Sequence, residues 1–272
     1  MARPSSRTPE PRSRGSAADS PVTRRRFGAA VGYALGAIAF GDACLVQTRS
    51  TADDTRLTAR PRSGVTPSLQ SGALGLGSGE RDGVIQVPSK LPDGPVPLLL
   101  FLHGATQAGA GMLRRIGEAA DQAGVVVLAP DSRDTTWDAI RGRFGDDVAF
   151  LNRALEHVFG HLPVDPARLA IGGFSDGASY ALSLGLANGD LFPRIVACSP
   201  GFVMSTATQG KPRVFVSHGT ADQILPIDQC SRIIVPRLRS MGYEVTFREF
   251  QGRHELPPDV VREGLQWMSA AR

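Results

Sequence analysis

The 272-residue chain has no run of about 20 strongly apolar residues, so no bilayer-spanning helix is expected. It has no internal repeat, which excludes solenoid and propeller architectures. Cysteine is scarce: only Cys44, Cys198 and Cys230, too few for a small scaffold held by disulfides. No third ligand stands near His157 and His161, which are spaced i, i+4. No metal site is therefore expected, and the pair reads as a solvated helix end. An excess of charge is also missing from most of the chain. Residues 1–43 carry seven arginines against Glu10, Asp19 and Asp42, and the other 229 residues hold 23 basic and 23 acidic groups. The net charge of +4 thus belongs to the N-terminus, and a nucleic-acid partner is not expected.

What is present at the N-terminus reads as an address. Residues 1–26 are rich in Pro, Ser and Arg and cannot bury a core. Thr23-Arg24-Arg25-Arg26-Phe27 precedes a short Ala/Gly-rich apolar stretch over 28–40. That order is a secretory signal of the twin-arginine kind. Residues 1–43 are assigned to the signal, with small residues at Gly41 and Ala43. Export is expected. Membrane contact is expected only during export, or through lipid on Cys44, although the residues before Cys44 form a poor lipidation motif. In an exported protein Cys198 and Cys230 have two readings, a disulfide or two buried thiols.

Residues 44–72 are polar and read as a flexible linker. From 73 to 272 short apolar runs alternate with helical patterns, as one catalytic domain. The runs cover 83–88, 97–102, 125–129, 169–172, 195–198, 213–217 and 244–250. Several are apolar at consecutive positions, as strands buried on both faces are. Helices are predicted over 112–123, 146–159 and 175–187, with apolar stripes marking two more toward the C-terminus. The fold class is α/β: a mostly parallel sheet, helices on both faces, and no large lid domain.

The chemistry centres on Gly173-Phe174-Ser175-Asp176-Gly177. An apolar strand leads into this G-x-S-x-G run and a small-residue helix follows, the context of a nucleophile elbow. Ser175 is the candidate nucleophile, standing where a helix N-terminus favours negative charge. A serine needs a base, and the base needs an orienting acid. In this arrangement acid and base follow the serine in that order. Only His218 and His254 lie downstream of Ser175. Asp222 falls in a loop after the run 213–217, and His254 in a loop after the next run, so Asp222 is the candidate acid and His254 the base. His218 then shapes the acid's loop. Asp228 is the second choice for the acid, with helix capping its simpler role. The oxyanion needs two backbone donors. One is the N–H of Asp176, and the other is that of Ala105 after the His103-Gly104 turn, with Thr106 the second choice. His103 precedes the nucleophile and reads as structural.

With these motifs in place, residues 73–272 resemble bacterial α/β-hydrolases of the phospholipase/carboxylesterase group. They are also similar to poly(3-hydroxybutyrate) depolymerase-type and feruloyl-type esterases. The resemblance rests on His103-Gly104, Gly173–Gly177, His218-Gly-Thr-Ala-Asp222 and Gly252-Arg-His254. It implies the α/β-hydrolase fold and hydrolysis of small or polymeric carboxylic esters, with no metal or organic cofactor. One departure is visible: His103-Gly104 is not followed by a glycine run, which argues against bulky tertiary-alcohol esters. An acyltransferase on the same triad and a non-catalytic binding module are the alternatives. Trp137 follows a strand that ends on the catalytic side, and it is read either as a pocket wall or as plain packing. Arg141 and Arg143 are read as solvated. A monomer is expected.

Overall fold

The computed structural model describes residues 53–270 except 78–80, 92–93 and 205. The export signal and Cys44 lie outside the described residues. Eight strands form one sheet: β1 Gly72–Ala73, β2 Gly83–Gln86, β3 Val96–Leu102, β4 Val126–Pro130, β5 Val164–Phe174, β6 Arg194–Cys198, β7 Arg213–Gly219 and β8 Val245–Phe250. Their order is β1-β2-β4-β3-β5-β6-β7-β8. The β1/β2 and β2/β4 pairs are antiparallel, and the pairs from β4 through β8 are parallel. This is the mostly parallel α/β sheet expected from the alternating pattern.

The consecutive apolar positions have a simple cause. All seven residues of β3 are buried, and side chains alternate between faces. Leu98, Leu100 and Leu102 enter one hydrophobic layer, while Leu99 and Phe101 enter the other. The helices are α1 Gly109–Gln122, α2 Asp138–Arg141, α3 Asp146–His161, α4 Asp176–Ala187, α5 Ser231–Ser240 and α6 Pro258–Ser269. Met112 and Ile116 of α1 pack with Val261, Leu265 and Met268 of α6 in the second layer. Leu151, Leu155 and Val158 of α3, Leu182 of α4 and Ile234 of α5 pack in the first. Each such aliphatic side chain contributes about 1.5–3 kcal/mol on burial. Among the described residues no independent lid domain interrupts the alternation.

One expectation changes here and one open alternative closes. Within the described part of the linker, residues 54–62 are not loose. Thr55, Leu57 and Ala59 are buried, while Arg56, Thr58 and Arg60 turn outward. Asn188 accepts the N–H of Leu57 at 2.9 Å and donates to the Thr55 carbonyl at 2.7 Å. Asn152 accepts the N–H groups of Thr58 and Ala59, and Arg56 and Arg60 both reach Asp190. Three alternating buried positions are too few to register as a pattern, and their partners lie about a hundred residues away in sequence. The cysteines close the open alternative: Cys198 and Cys230 are both buried, with no disulfide between them. Cys198 joins the layer between α1 and α6, whereas Cys230 precedes α5, which packs on the opposite face. Burial pushes the Cys198 thiol up to about 11, so it stays protonated at neutral pH.

Candidate active site

Strand β5 ends at Phe174 and α4 starts at Asp176. The single residue between them is Ser175, held at φ 58° and ψ −122°. A non-glycine residue rarely adopts this left-handed backbone, and such strain concentrates at functional sites. The elbow is pinned from the neighbouring strand: the Ser175 N–H donates to the Cys198 carbonyl at 3.0 Å. Glycine is required on both sides. A Cβ on Gly177 would strike the carbonyls of Leu102 and His103, and one on Gly173 would strike the backbone of Gly177 and Ala178. The turn can close this tightly only because neither residue has a side chain.

The candidate acid and base follow β7 and β8, which pair in parallel register up to Gly219 and Phe250. Beyond the strands the two loops stay laced together. Thr220 donates to the Phe250 carbonyl at 2.8 Å and Ala221 to that of Gly252 at 2.9 Å. This brings His254 and Asp222 into contact: His254 Nδ1 donates to Asp222 Oδ2 at 2.6 Å. The Asp222 side chain is fully buried, while that of His254 remains 15% exposed. Asp222 Oδ1 accepts the N–H groups of Ile224 at 2.9 Å and Leu225 at 2.8 Å. One carboxylate oxygen thus holds its own loop while the other holds the histidine. The His254 ring packs on Phe174 with centroids 4.7 Å apart, placing it against the residue that precedes Ser175.

His218 is the other histidine downstream of Ser175. It is fully buried. Its Nε2 donates to the Leu225 carbonyl at 2.8 Å, and its Nδ1 accepts from Ser231 Oγ at 2.6 Å. Burial lowers its pKa, which keeps the ring neutral in this tautomer. Asp222 Oδ2 lies 3.3 Å from the same Nε2, so His218 buttresses the acid's loop from behind. Asp228 stands apart, paired with Arg232 at 2.7 Å on the surface.

The loop after β3 is equally constrained. His103 is fully buried, and its pKa is lowered mainly by that burial. Its Nδ1 donates to the Gly104 carbonyl at 2.7 Å, and its Nε2 accepts the Ser132 N–H at 2.9 Å. Thr106 sits at φ 60° and spends its N–H on the Thr135 carbonyl at 2.7 Å. Its N–H is thus already taken, and Ala105 stays the candidate donor in this loop. Asp176, as the first residue of α4, has an N–H with no acceptor one turn back within the helix. Gly104 lies beside Ser175: a Cβ built on it would stand 3.2 Å from Cβ of the serine.

Trp137 is a correction to the pocket-wall reading. It is fully buried, donates from Nε1 to the His103 carbonyl at 2.8 Å, and packs between the rings of His103 and Tyr180. It therefore supports the loop from within. Sequence reasoning also missed Arg81, whose guanidinium reaches the Gln107 carbonyl at 3.2 Å, His103 Nε2 at 3.3 Å and the Ser132 carbonyl. No local pattern marks such a residue, because every partner is distant in sequence. An open cavity of about 770 Å³ lies along the 133–147 segment, lined by Arg133, Asp134, Thr136, Arg141, Arg143 and Phe144, among others. Arg141 pairs there with Asp134. His161 Nδ1 bonds the His157 carbonyl at 2.7 Å, an ordinary i, i+4 contact on a helix end.

Known proteins resemble this chain in sequence over part of its length and in fold. Residues 147–270 match the sequence profile of the phospholipase/carboxylesterase family. The chain is 27% identical over 180 residues to the feruloyl esterase C of Emericella nidulans, covering 62% of this chain and 64% of that protein. The chain thus spans less than two thirds of that relative's length. Among solved structures, a ferulic acid esterase from Anaeromyces mucronatus superimposes with a TM-score of 0.56 at 17% identity, over 82% of this chain and 96% of that one. The Bacillus cereus carboxylesterase does so with 0.54 at 22% identity, over 70% and 94%. By fold the chain is an α/β-hydrolase, and over residues 147–270 it carries the sequence pattern of the phospholipase/carboxylesterase family.

Proposed function

We propose that the protein is a serine esterase that cleaves carboxylic esters through an acyl-serine intermediate. The observation that carries this reading is the 2.6 Å contact between His254 and Asp222, beside a serine held at φ 58°. Ser175 Oγ attacks the ester carbonyl while His254 Nε2 takes its proton. Asp222 fixes the ring tautomer through Nδ1 and stabilises the imidazolium. The N–H groups of Ala105 and Asp176 receive the oxyanion, an interaction that strengthens as charge develops. His254 then returns the proton to the leaving alcohol, activates water, and the acyl-serine hydrolyses. Aryl and feruloyl-type esters are the first substrates to try, on the likeness to the Emericella and Anaeromyces esterases. The Arg24–Phe27 signal supports a place outside the cytoplasm, with the catalytic domain acting as a monomer.

The test is labelling with a fluorophosphonate probe together with turnover of p-nitrophenyl esters. Wild type should label on Ser175 and turn over. Ser175→Ala should do neither while keeping its melting temperature. Near-wild-type turnover by Ser175→Ala means that another residue is the nucleophile.

A further inference from the structure

We propose that Thr136 is a positioning residue that holds the two oxyanion donors in mutual register. The inference rests on the serine-esterase reading and names a residue that the triad does not include. The two donors come from separate parts of the fold: Ala105 from the loop after β3, and Asp176 from the start of α4. Residues 135 and 136 touch both. On one side the Thr135 carbonyl accepts the N–H of Thr106, the neighbour of Ala105, at 2.7 Å. On the other, Thr136 Oγ1 donates to Asp176 Oδ2 at 2.7 Å. Adjacent residues therefore tie down both donor segments, and a planar peptide joins the ties with little freedom to stretch.

The dipeptide is itself anchored. Asp134 Oδ1 accepts the Thr135 N–H at 2.6 Å, and the Asp134 carbonyl accepts Ser132 Oγ at 2.5 Å. Trp137, next in sequence, donates to the His103 carbonyl. The bond from Thr136 has a second consequence. The carboxylate of Asp176 belongs to the residue whose N–H is to receive an oxyanion, and a free negative charge there would oppose that charge. The Thr136 hydroxyl is the neutral donor that keeps the carboxylate turned to the 134–136 loop. A threonine at this place therefore acts on the transition state, where the oxyanion exists, more than on substrate binding.

The experiment is steady-state kinetics on an aryl ester for wild type, Thr136→Val and Thr136→Ser, with affinity for an alkyl boronic acid as a tetrahedral mimic. Thr136→Val keeps the shape and removes the donor. Its kcat should fall about tenfold with KM within about twofold, and boronate affinity should fall in parallel with kcat/KM. Thr136→Ser should recover most of the loss. Thr136→Ala removes the same donor and leaves Asp176 in place, and it carries the test should Thr136→Val not fold. The inference is overturned if Thr136→Val keeps kcat within twofold, if the loss falls on KM, or if Thr136→Ser is as slow as Thr136→Val. No Ser175-dependent turnover by wild type removes the esterase reading and this inference together. An active wild type matched by Thr136→Val removes the inference alone.

Discussion

Asp138 and Asp147 cap each other's helices: Asp138 Oδ2 accepts the Asp147 N–H at 2.9 Å, and Asp147 Oδ2 accepts the Asp138 N–H at 2.6 Å. The pair joins the first turns of α2 and α3, whose N–H groups have no partners within their own helices. Asp147 Oδ1 also holds the Arg133 N–H at 2.6 Å, and Tyr180 donates to Asp138 Oδ1 at 3.0 Å. The 131–147 loop, which carries Thr136 and Trp137, is thus built around one buried and one half-buried carboxyl.

Burial pushes Asp147 up to about 6 from its ordinary 3.8, against the pull of its N–H donors. Asp138 moves the same way for the same reason. Between the ordinary value and about 6, the folded protein keeps a proton that the unfolded chain has lost. The resulting stability is therefore fully present below the ordinary value and declines as pH rises through about 6. Asp147→Asn removes this dependence and gives up one acceptor, at a cost of about 1–3 kcal/mol. Its stability deficit against wild type should be larger at pH 5 than at pH 7 in urea titrations. A deficit that does not change with pH speaks against a raised carboxyl at this position.

The arm at 54–62 should prove part of the domain. Asn188 is fully buried and bonds the backbone of Leu57, Thr55 and Leu184. Asn188→Ala strands these groups and should cost about 2–4 kcal/mol. Asp190 is 38% exposed, and Asp190→Ala should cost under about 1 kcal/mol despite losing two arginine partners. Chemical denaturation gives both values. Limited trypsin digestion should cut Asn188→Ala at Arg56 or Arg62 well before wild type. Equal costs for the two variants would mean that the ion pairs, and not the buried amide, hold the arm.

Gly177→Ala tests the fit of the elbow against the loop after β3. The new Cβ meets two backbone carbonyls that cannot swing aside. Displacing them moves the donor loop, and kcat should fall at least about a hundredfold. Gly264→Ala is the control, because its Cβ meets only side-chain carbons at 3.5 Å and beyond. It should stay within about 1 kcal/mol of wild type. Activity retained by Gly177→Ala would show that the loop position does not matter to turnover.

The two downstream histidines should separate by phenotype. His254→Ala removes a partly exposed ring and should lose about a thousandfold or more in kcat, with little change in melting temperature. His218→Ala leaves Ser231 Oγ and the Leu225 carbonyl without partners in the interior. It should cost about 2–4 kcal/mol while a measurable rate remains at low temperature. The reverse pattern would exchange the roles of the two residues.

Much of this was legible in local patterns. The run around β3 and the strand into Gly173–Gly177 declare themselves because strand burial and turn sterics act between near neighbours. The apolar run 169–172 marks only the buried part of β5, which begins at Val164, because Asp165, Pro166 and Ala167 hide its extended start. The short helix α2 was not read at all, since four residues carry no period. The 54–62 arm and Arg81 were missed because their partners come from far along the chain.

The sequence by itself determined the parallel α/β layout, the elbow, and which acid and histidine stand in order behind Ser175. Those follow from periodicity and from chain order, which no packing can rearrange. Tertiary structure alone decided that Thr106 is spent on Thr135, that Trp137 is buried under His103, and that Cys198 and Cys230 stay apart. Each depends on whether a distant group fills the space or takes the hydrogen bond first. Only the packed chain settles that competition.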